Sequence, residues 1–139
     1  MACPNAANHI DRRDSAMAGG ELNAAIAKSV VRIHLRYAGR GPTKARALFR
    51  DNIVVVVLEG VMTTAERSLA AAGRDQALLG FHDGLRAAME AELITSVEEL
   101  TGSSVVALMG DSHTDPDIAV ELFILDRPVD PSQEGQANG

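Results

Sequence analysis

Arg40, Lys44, Arg46 and Arg50 stand beside Gly39 and Gly41 in a chain whose net charge is -6. Guanidinium and ammonium groups next to glycines whose amides can point outward have the makings of a small-anion site. Phosphate, a carboxylate or bicarbonate would be held there by charge-assisted hydrogen bonds. Gly39, Arg40, Gly41, Lys44, Arg46 and Arg50 are therefore the candidate anion-binding residues. The competing reading is a solvated edge strand, because basic side chains commonly protect sheet edges from aggregation. Neither GxxxxGK[ST] nor GxGxxG occurs, so a standard nucleotide-binding phosphate loop is not supported.

Other chemistry-bearing residues fall into weaker patterns. Asp111, His113, Asp115 and Asp117 occupy alternate positions of one segment, and carboxylates with imidazole can ligate a divalent cation. The run lacks the glycine and distal glutamate of an EF-hand loop, so it reads as a solvated hairpin loop and no metal site is expected. His34 and His82 sit on helical segments and read as surface or interface histidines ahead of proton-sensitive switches. No nucleophile stands in a GxSxG elbow, and Glu90, Glu98 and Glu99 fall on polar helix faces. The expectation is a protein that is not an enzyme and has no cofactor.

Composition narrows the partners. One Tyr, three Phe and no Trp leave little for stacking bases, and the negative charge repels phosphate backbones, so nucleic acid is not expected as a partner. Cys3 is the single cysteine, which excludes an intramolecular disulfide and a CxxC metal site. The first nineteen residues lack the apolar core of a secretory signal and read as a disordered lead-in. No apolar run approaches the roughly 20 residues that span a bilayer. A cytoplasmic protein is expected, peripheral to the inner face of the membrane if it meets a membrane at all.

The elements that must position these residues follow from periodicity. Leu22, Ala25, Ile26, Val30, Ile33 and Tyr37 recur at helical spacing, and Gly39 to Pro42 ends that helix. Ala45, Ala47 and Phe49 alternate with Lys44, Arg46 and Arg50 as in a strand with one buried face, and Asp51-Asn52 turns the chain into a second strand, Ile53 to Glu59. Thr63 and Glu66 form a capping box at the start of a short helix. A long helix from about Gln76 to Leu100 carries the apolar seam Leu78, Phe81, Leu85, Met89, Leu93 and Val97. Gly80 and Gly84 in that helix mark either a close approach or break, or tolerated glycines. Val105 to Met109 and Ile118 to Leu125 complete the strands.

The fold class is thus α+β, in the order α-β-β-α-α-β-β. A four-stranded antiparallel sheet has helices on one side, in a single domain over residues 20–127 with a disordered tail at 128–139. The strands raise a problem of cover. Ile118, Val120, Leu122 and Ile124 point one way while Ala119, Glu121, Phe123 and Leu125 point the other, and both sets are largely apolar. One face is left for association unless a broken long helix covers both, so a homodimer or a docked partner is expected. Val54, Val56, Leu58, Phe123 and Leu125 are the candidate interface residues.

The run GRGPTKARALFRDNIVVVVLEGVMTTAERSL, and after the long helix EELTGSSVVALMGDSHTDPDIAVELFILD, resembles the MpsC family from about Gly20 to Arg127. The points of likeness are Gly39-Arg40-Gly41-Pro42, the Leu58 to Glu66 turn into a helix, Glu99-Leu100-Thr101-Gly102 and Phe123-Ile124-Leu125-Asp126. The resemblance implies a small bacterial protein associated with a sodium-translocating, membrane-potential-generating system linked to bicarbonate uptake. It brings no catalytic residues with it. The leading expectation is an accessory or regulatory protein that acts by protein-protein association, with peripheral contact to a membrane transport complex. The alternative is a sensor of a small anion or nucleotide that uses the basic turn.

Overall fold

The computed structural model describes residues 4–131, with side chains from residue 19 onward. In chain order the elements are α1 (Pro4–Ala38), β1 (Lys44–Arg50), β2 (Ile53–Glu59), α2 (Thr64–Ala71), α3 (Asp75–Thr101), β3 (Val105–His113) and β4 (Ile118–Leu125). This is the expected α-β-β-α-α-β-β order. The backbone of α1 starts well before the expected Glu21. The expectations of a disordered lead-in at 1–19 and a disordered tail at 128–139 fall largely outside the residues described with side chains, as does Cys3.

The four strands form one antiparallel sheet in the order β1-β2-β4-β3. The two hairpins meet along β2 and β4, where Val54 pairs with Phe123 and Val56 with Glu121. Asp51 turns the first hairpin with φ of 54°, a left-handed conformation that Asp tolerates better than most residues. Asn52 ties this turn to the end of β4: its side-chain amide donates to the Leu125 carbonyl at 3.1 Å, and its carbonyl accepts from Leu125 N at 2.8 Å.

Helices α1 and α3 lie across one face of the sheet. From α1, Leu22, Ile26, Val30 and Ile33 meet Met89, Leu93 and Val97 of α3, and both rows close over Val54, Val56, Leu58, Phe123 and Leu125. Fully burying one such side chain contributes roughly 1.5–3 kcal/mol, so this row of contacts dominates stability. The helix ends are built as the sequence indicates. Gly39, at φ 76°, donates to Leu35 O at 3.0 Å, and Gly102, at φ 71°, donates to Glu98 O at 2.8 Å. The Thr63–Glu66 capping box is formed, with Glu66 N donating to Thr63 Oγ1 at 3.2 Å and Thr63 N to Glu66 Oε1 at 3.1 Å.

Several expectations need correction. Tyr37 does not join the α1 seam; it is turned outward, and its hydroxyl donates to Glu92 at 2.6 Å. Phe81 does not join the α3 seam; it is 47% exposed, while Leu78 of the same stretch is buried. Strand β3 continues to His113 instead of stopping at Met109, so Asp111 and His113 belong to the sheet and not to a loop. Gly80 and Gly84 have nothing within 4 Å of where a Cβ would stand, and α3 runs through both without a break.

These glycines generate opposite expectations. Gly80→Ala and Gly84→Ala should each stabilise the protein by about 1 kcal/mol, because alanine loses less backbone entropy in a helix. Gly60→Ala should destabilise it by more than about 1 kcal/mol: Gly60 has φ of 67°, and an added Cβ would lie 2.2 Å from Thr43 Oγ1. Denaturant unfolding of the three variants checks both signs.

Candidate functional site

The basic residues do not converge. The Arg40 guanidinium turns back to donate to the Met62 carbonyl at 2.8 Å, which fastens the α1–β1 connection to the segment before α2. Lys44 lies 3.8 Å from Glu59 across the strand pair. Lys44, Arg46 and Arg50 project from the uncovered side of edge strand β1 and are spread over roughly 20 Å at about 3.3 Å per residue. Gly39 serves as the helix cap, and Gly41 packs its Cα against α1, where a Cβ would meet Val31 at 3.5 Å. The arrangement is a charged edge and not a cradle.

The candidate interface residues change sides. Val54, Val56, Leu58, Phe123 and Leu125 are 0–1% exposed beneath the helices, so they are core. The uncovered face is made by the alternate residues, and the pairing registers lay it out in rows. Arg46, Val57, Val120 and Asp111 form one row from β1 to β3, and Leu48, Val55, Leu122 and Met109 form the next. Leu48 is 57% and Met109 52% exposed at the two edges. The centre is aliphatic, β1 brings cations to one edge, and Asp111 of β3 stands at the other.

A second constellation lies under the helices, at the end of the core where β3 and β4 meet α1, α2 and α3. Glu121 of β4 points inward among apolar neighbours and is 2% exposed. Its Oε1 accepts from Arg86 Nε at 3.2 Å, and Arg86 Nη1 donates to the Gly110 carbonyl at 2.6 Å. Gly110 pairs with Glu121 across the sheet, and an added Cβ there would lie 2.5 Å from Glu121 Oε2 and 2.4 Å from the Val120 carbonyl. Only glycine leaves room for this carboxylate. Nearby, His82 Nε2 is hydrogen-bonded to Glu66 Oε2, so one carboxylate both caps α2 and holds α3. His34 completes the group from α1. Far from being a surface residue, it is 8% exposed, because Tyr37 and Leu35 take the outward positions of that turn.

His34, Glu66, His82, Arg86 and Glu121 line a common cavity of about 40 Å³. Two buried side-chain atoms of these residues have no hydrogen-bond partner, His34 Nε2 and Glu121 Oε2. Burial, and then the nearby Arg86 charge, lower the pKa of His34, against a smaller raising effect of Glu66. Burial raises the pKa of Glu121, partly offset by Arg86. His34 and His82 carried a signal in the sequence as titratable residues on helices. Arg86 and Glu121 carried a fainter one: Glu121 is the charged member of the inward set on β4. At the far end of β3, Asp117 accepts from Val61 N at 3.2 Å and Met62 N at 3.0 Å, while His113 Nδ1 lies 2.9 Å from Pro116 O. Among the described residues, no group of three or more His, Cys, Asp or Glu could hold a metal ion.

A pH dependence follows. Because the folded state lowers the pKa of His34, the unfolded chain binds a proton more readily at that position. The folded state therefore loses stability as pH falls through the ordinary histidine value of 6.5. His34→Gln removes this contribution. Between pH 7 and 5 the variant should lose less stability than the wild type, as read from paired urea titrations. Equal losses would show that His34 is not held neutral.

Comparison with known proteins adds a family. No solved structure matches the chain. A protein of Bacillus subtilis (strain 168), described as "Uncharacterized protein YrhF", is 28% identical over 98 residues, covering 69% of this chain and 80% of that protein. The family model described as "Na+-translocating membrane potential-generating system (MpsC)" matches residues 18–127. This span runs from the core half of α1 through the close of β4, including the helix-capping Gly39, the capping box and both faces of the sheet. On that match the chain belongs to the MpsC family.

Proposed function

We propose that this protein is a non-enzymatic accessory or regulatory component that acts by association, as a homodimer formed through its uncovered sheet face. The carrying observation is that face: aliphatic at its centre, unpartnered, and oppositely charged at its two edges. Burying it against a second copy removes Leu48, Val55, Leu122 and Met109 from water, the usual driving force for association.

Charge selects the geometry. Two sheets packing face to face can be related by a twofold axis lying along the strands or across them. An axis across the strands sets β1 against β1 of the second copy and brings Lys44, Arg46 and Arg50 against three like charges. An axis along the strands sets β1 against the second copy's β3. Arg46 then opposes Asp111, Leu48 opposes Met109, and Val55 opposes Leu122, each contact made twice. The second arrangement is electrostatically complementary.

The family description supports placing this dimer beside a sodium-translocating system. Among the described residues no helix is long and apolar enough to cross a membrane. On this reading the chain contributes by peripheral contact with other components, which carry the ions, from the cytoplasmic side.

The molecular mass in solution, measured by light scattering across protein concentrations, tests the reading. A dimer is expected. Leu122→Lys should weaken it by at least about 100-fold by burying unpaired charge in the interface. Arg46→Asp should weaken it less, and adding Asp111→Arg should restore it. A monomer at about 100 µM removes the proposal. A dimer indifferent to Leu122→Lys moves the interface elsewhere, and failure of the charge swap alone removes the axis along the strands.

A further inference from the structure

We propose that the free edge of β1 is a docking site for an extended acidic segment of another protein, which adds to the sheet as a fifth strand. This goes beyond the dimer, which uses the face of the sheet and not its edge.

The ladder shows which backbone groups β1 leaves free. The Glu59 carbonyl accepts from Thr43 N on the β1 side of β2, while the Asn52 carbonyl and Gly60 N bond on the β4 side. Successive residues of a strand bond to opposite sides, so Ile53, Val55, Val57 and Glu59 bond toward β1. Their partners Arg50, Leu48, Arg46 and Lys44 answer them, and the N–H and C=O groups of Ala45, Ala47 and Phe49 point away from the sheet. Among the described residues no hydrogen bond reaches these groups.

The other edge is closed. On β3 the Gly110 carbonyl accepts from Arg86 at 2.6 Å, Ser112 N donates to Asp111 at 2.8 Å, and Val105 N donates to Glu98 at 2.9 Å. A register shift between Val105 and Ala107 disrupts that edge further. An added strand therefore meets an open ladder at β1 and an occupied one at β3.

Charge then defines the occupant. Lys44, Arg46 and Arg50 stand on one side of β1, at the first, third and seventh positions of the strand. A second copy of β1 would set cations against cations, whereas carboxylates on one side of an incoming strand would each meet one. The intervening positions of that strand lie beside Ala45, Ala47 and Phe49, which pack toward the core, so they take apolar residues. The occupant is thus an extended segment in which Asp or Glu alternates with aliphatic residues. Antiparallel pairing is the commoner and slightly more stable arrangement.

The probe is a fluorescently labelled peptide, Glu-Val-Thr-Val-Glu-Val-Glu, whose glutamates face Arg50, Arg46 and Lys44 in antiparallel register. Anisotropy with the full chain gives its affinity, and hydrogen exchange followed by NMR locates the site. Saturable binding is expected below about 1 mM. The amides of Ala45, Ala47 and Phe49 should exchange fast in the free protein and at least about tenfold more slowly with the peptide bound. Replacing the three glutamates by lysine, or N-methylating the three valines to remove their backbone donors, should each weaken binding at least about tenfold. Arg50→Glu should do the same. Arg50 lies outside the Arg46–Asp111 contact of the dimer, so the two proposals fail separately. No saturation by about 1 mM, equal affinity for the lysine peptide, unchanged affinity in Arg50→Glu, or binding that leaves the three amides unprotected would each overturn the proposal.

Discussion

The central strands β2 and β4 are apolar on both sides, while the helices cover one side, and most of the structure answers to that imbalance. Packing α1 and α3 over Val54, Val56, Leu58, Phe123 and Leu125 takes five large aliphatic and aromatic side chains out of water. At roughly 25 cal/mol per Å² of apolar area, no other set of contacts in the chain is comparable. The same packing fixes which residues stay outside. Because side chains alternate along a strand, choosing the covered face also chooses Val55, Val57, Val120 and Leu122 for the other. The core and the uncovered face are thus two results of one choice.

Within the covered face, one position departs from the pattern. Glu121 sits between Ala119 and Phe123, where an aliphatic residue would bury more area at no electrostatic cost. Replacing a buried ion pair by apolar residues of similar volume is often neutral, or stabilising by about 1–4 kcal/mol. Apolar burial alone therefore does not account for the Arg86–Glu121 pair, which ties α3 to β4 and, through the Gly110 carbonyl, to β3. Gly110 deepens the point, since the opposite strand forgoes a side chain to admit the carboxylate. The buried Glu121, the glycine opposite it and the Arg86 that binds both strands form one arrangement that joins α3 to the β3–β4 hairpin.

The sequence made the elements legible because local signals agreed. The α1 seam from Leu22 to Ile33, the Asp51-Asn52 turn, the Thr63–Glu66 box and the Gly39 and Gly102 stops each have a mechanism that works within a few residues. What it could not decide was the covered face. On β4 both alternate sets are apolar, so Phe123 and Leu125 were as good a choice of interface as Leu122 and Ile124 until α1 and α3 were placed. Phe81 fails for a related reason: helical spacing puts it in line with Leu85 and Met89, and only the placement of α3 leaves it 47% exposed while Leu78 is buried. The cavity was hidden more deeply. His34, Glu66, His82, Arg86 and Glu121 come from four elements, and only the packing of those elements brings them together.

Apolar area alone is non-directional, and a flat aliphatic face would accept many partners. Direction comes from the edges. Lys44 has a neighbour in Glu59, an exposed pair worth little, whereas among the described residues Arg46 and Arg50 have no acidic partner. Unpaired cations on an edge strand also deter sheet-to-sheet extension, because a second edge strand would bring like charges together. The same charges thus disfavour growth in the plane of the sheet while leaving face-to-face contact open. With Asp111 on the opposite edge, they distinguish one twofold axis from the other. In the proposed dimer, burial supplies affinity and edge charge supplies geometry, which gives the dense positive charge on β1 a role beyond protecting a sheet edge.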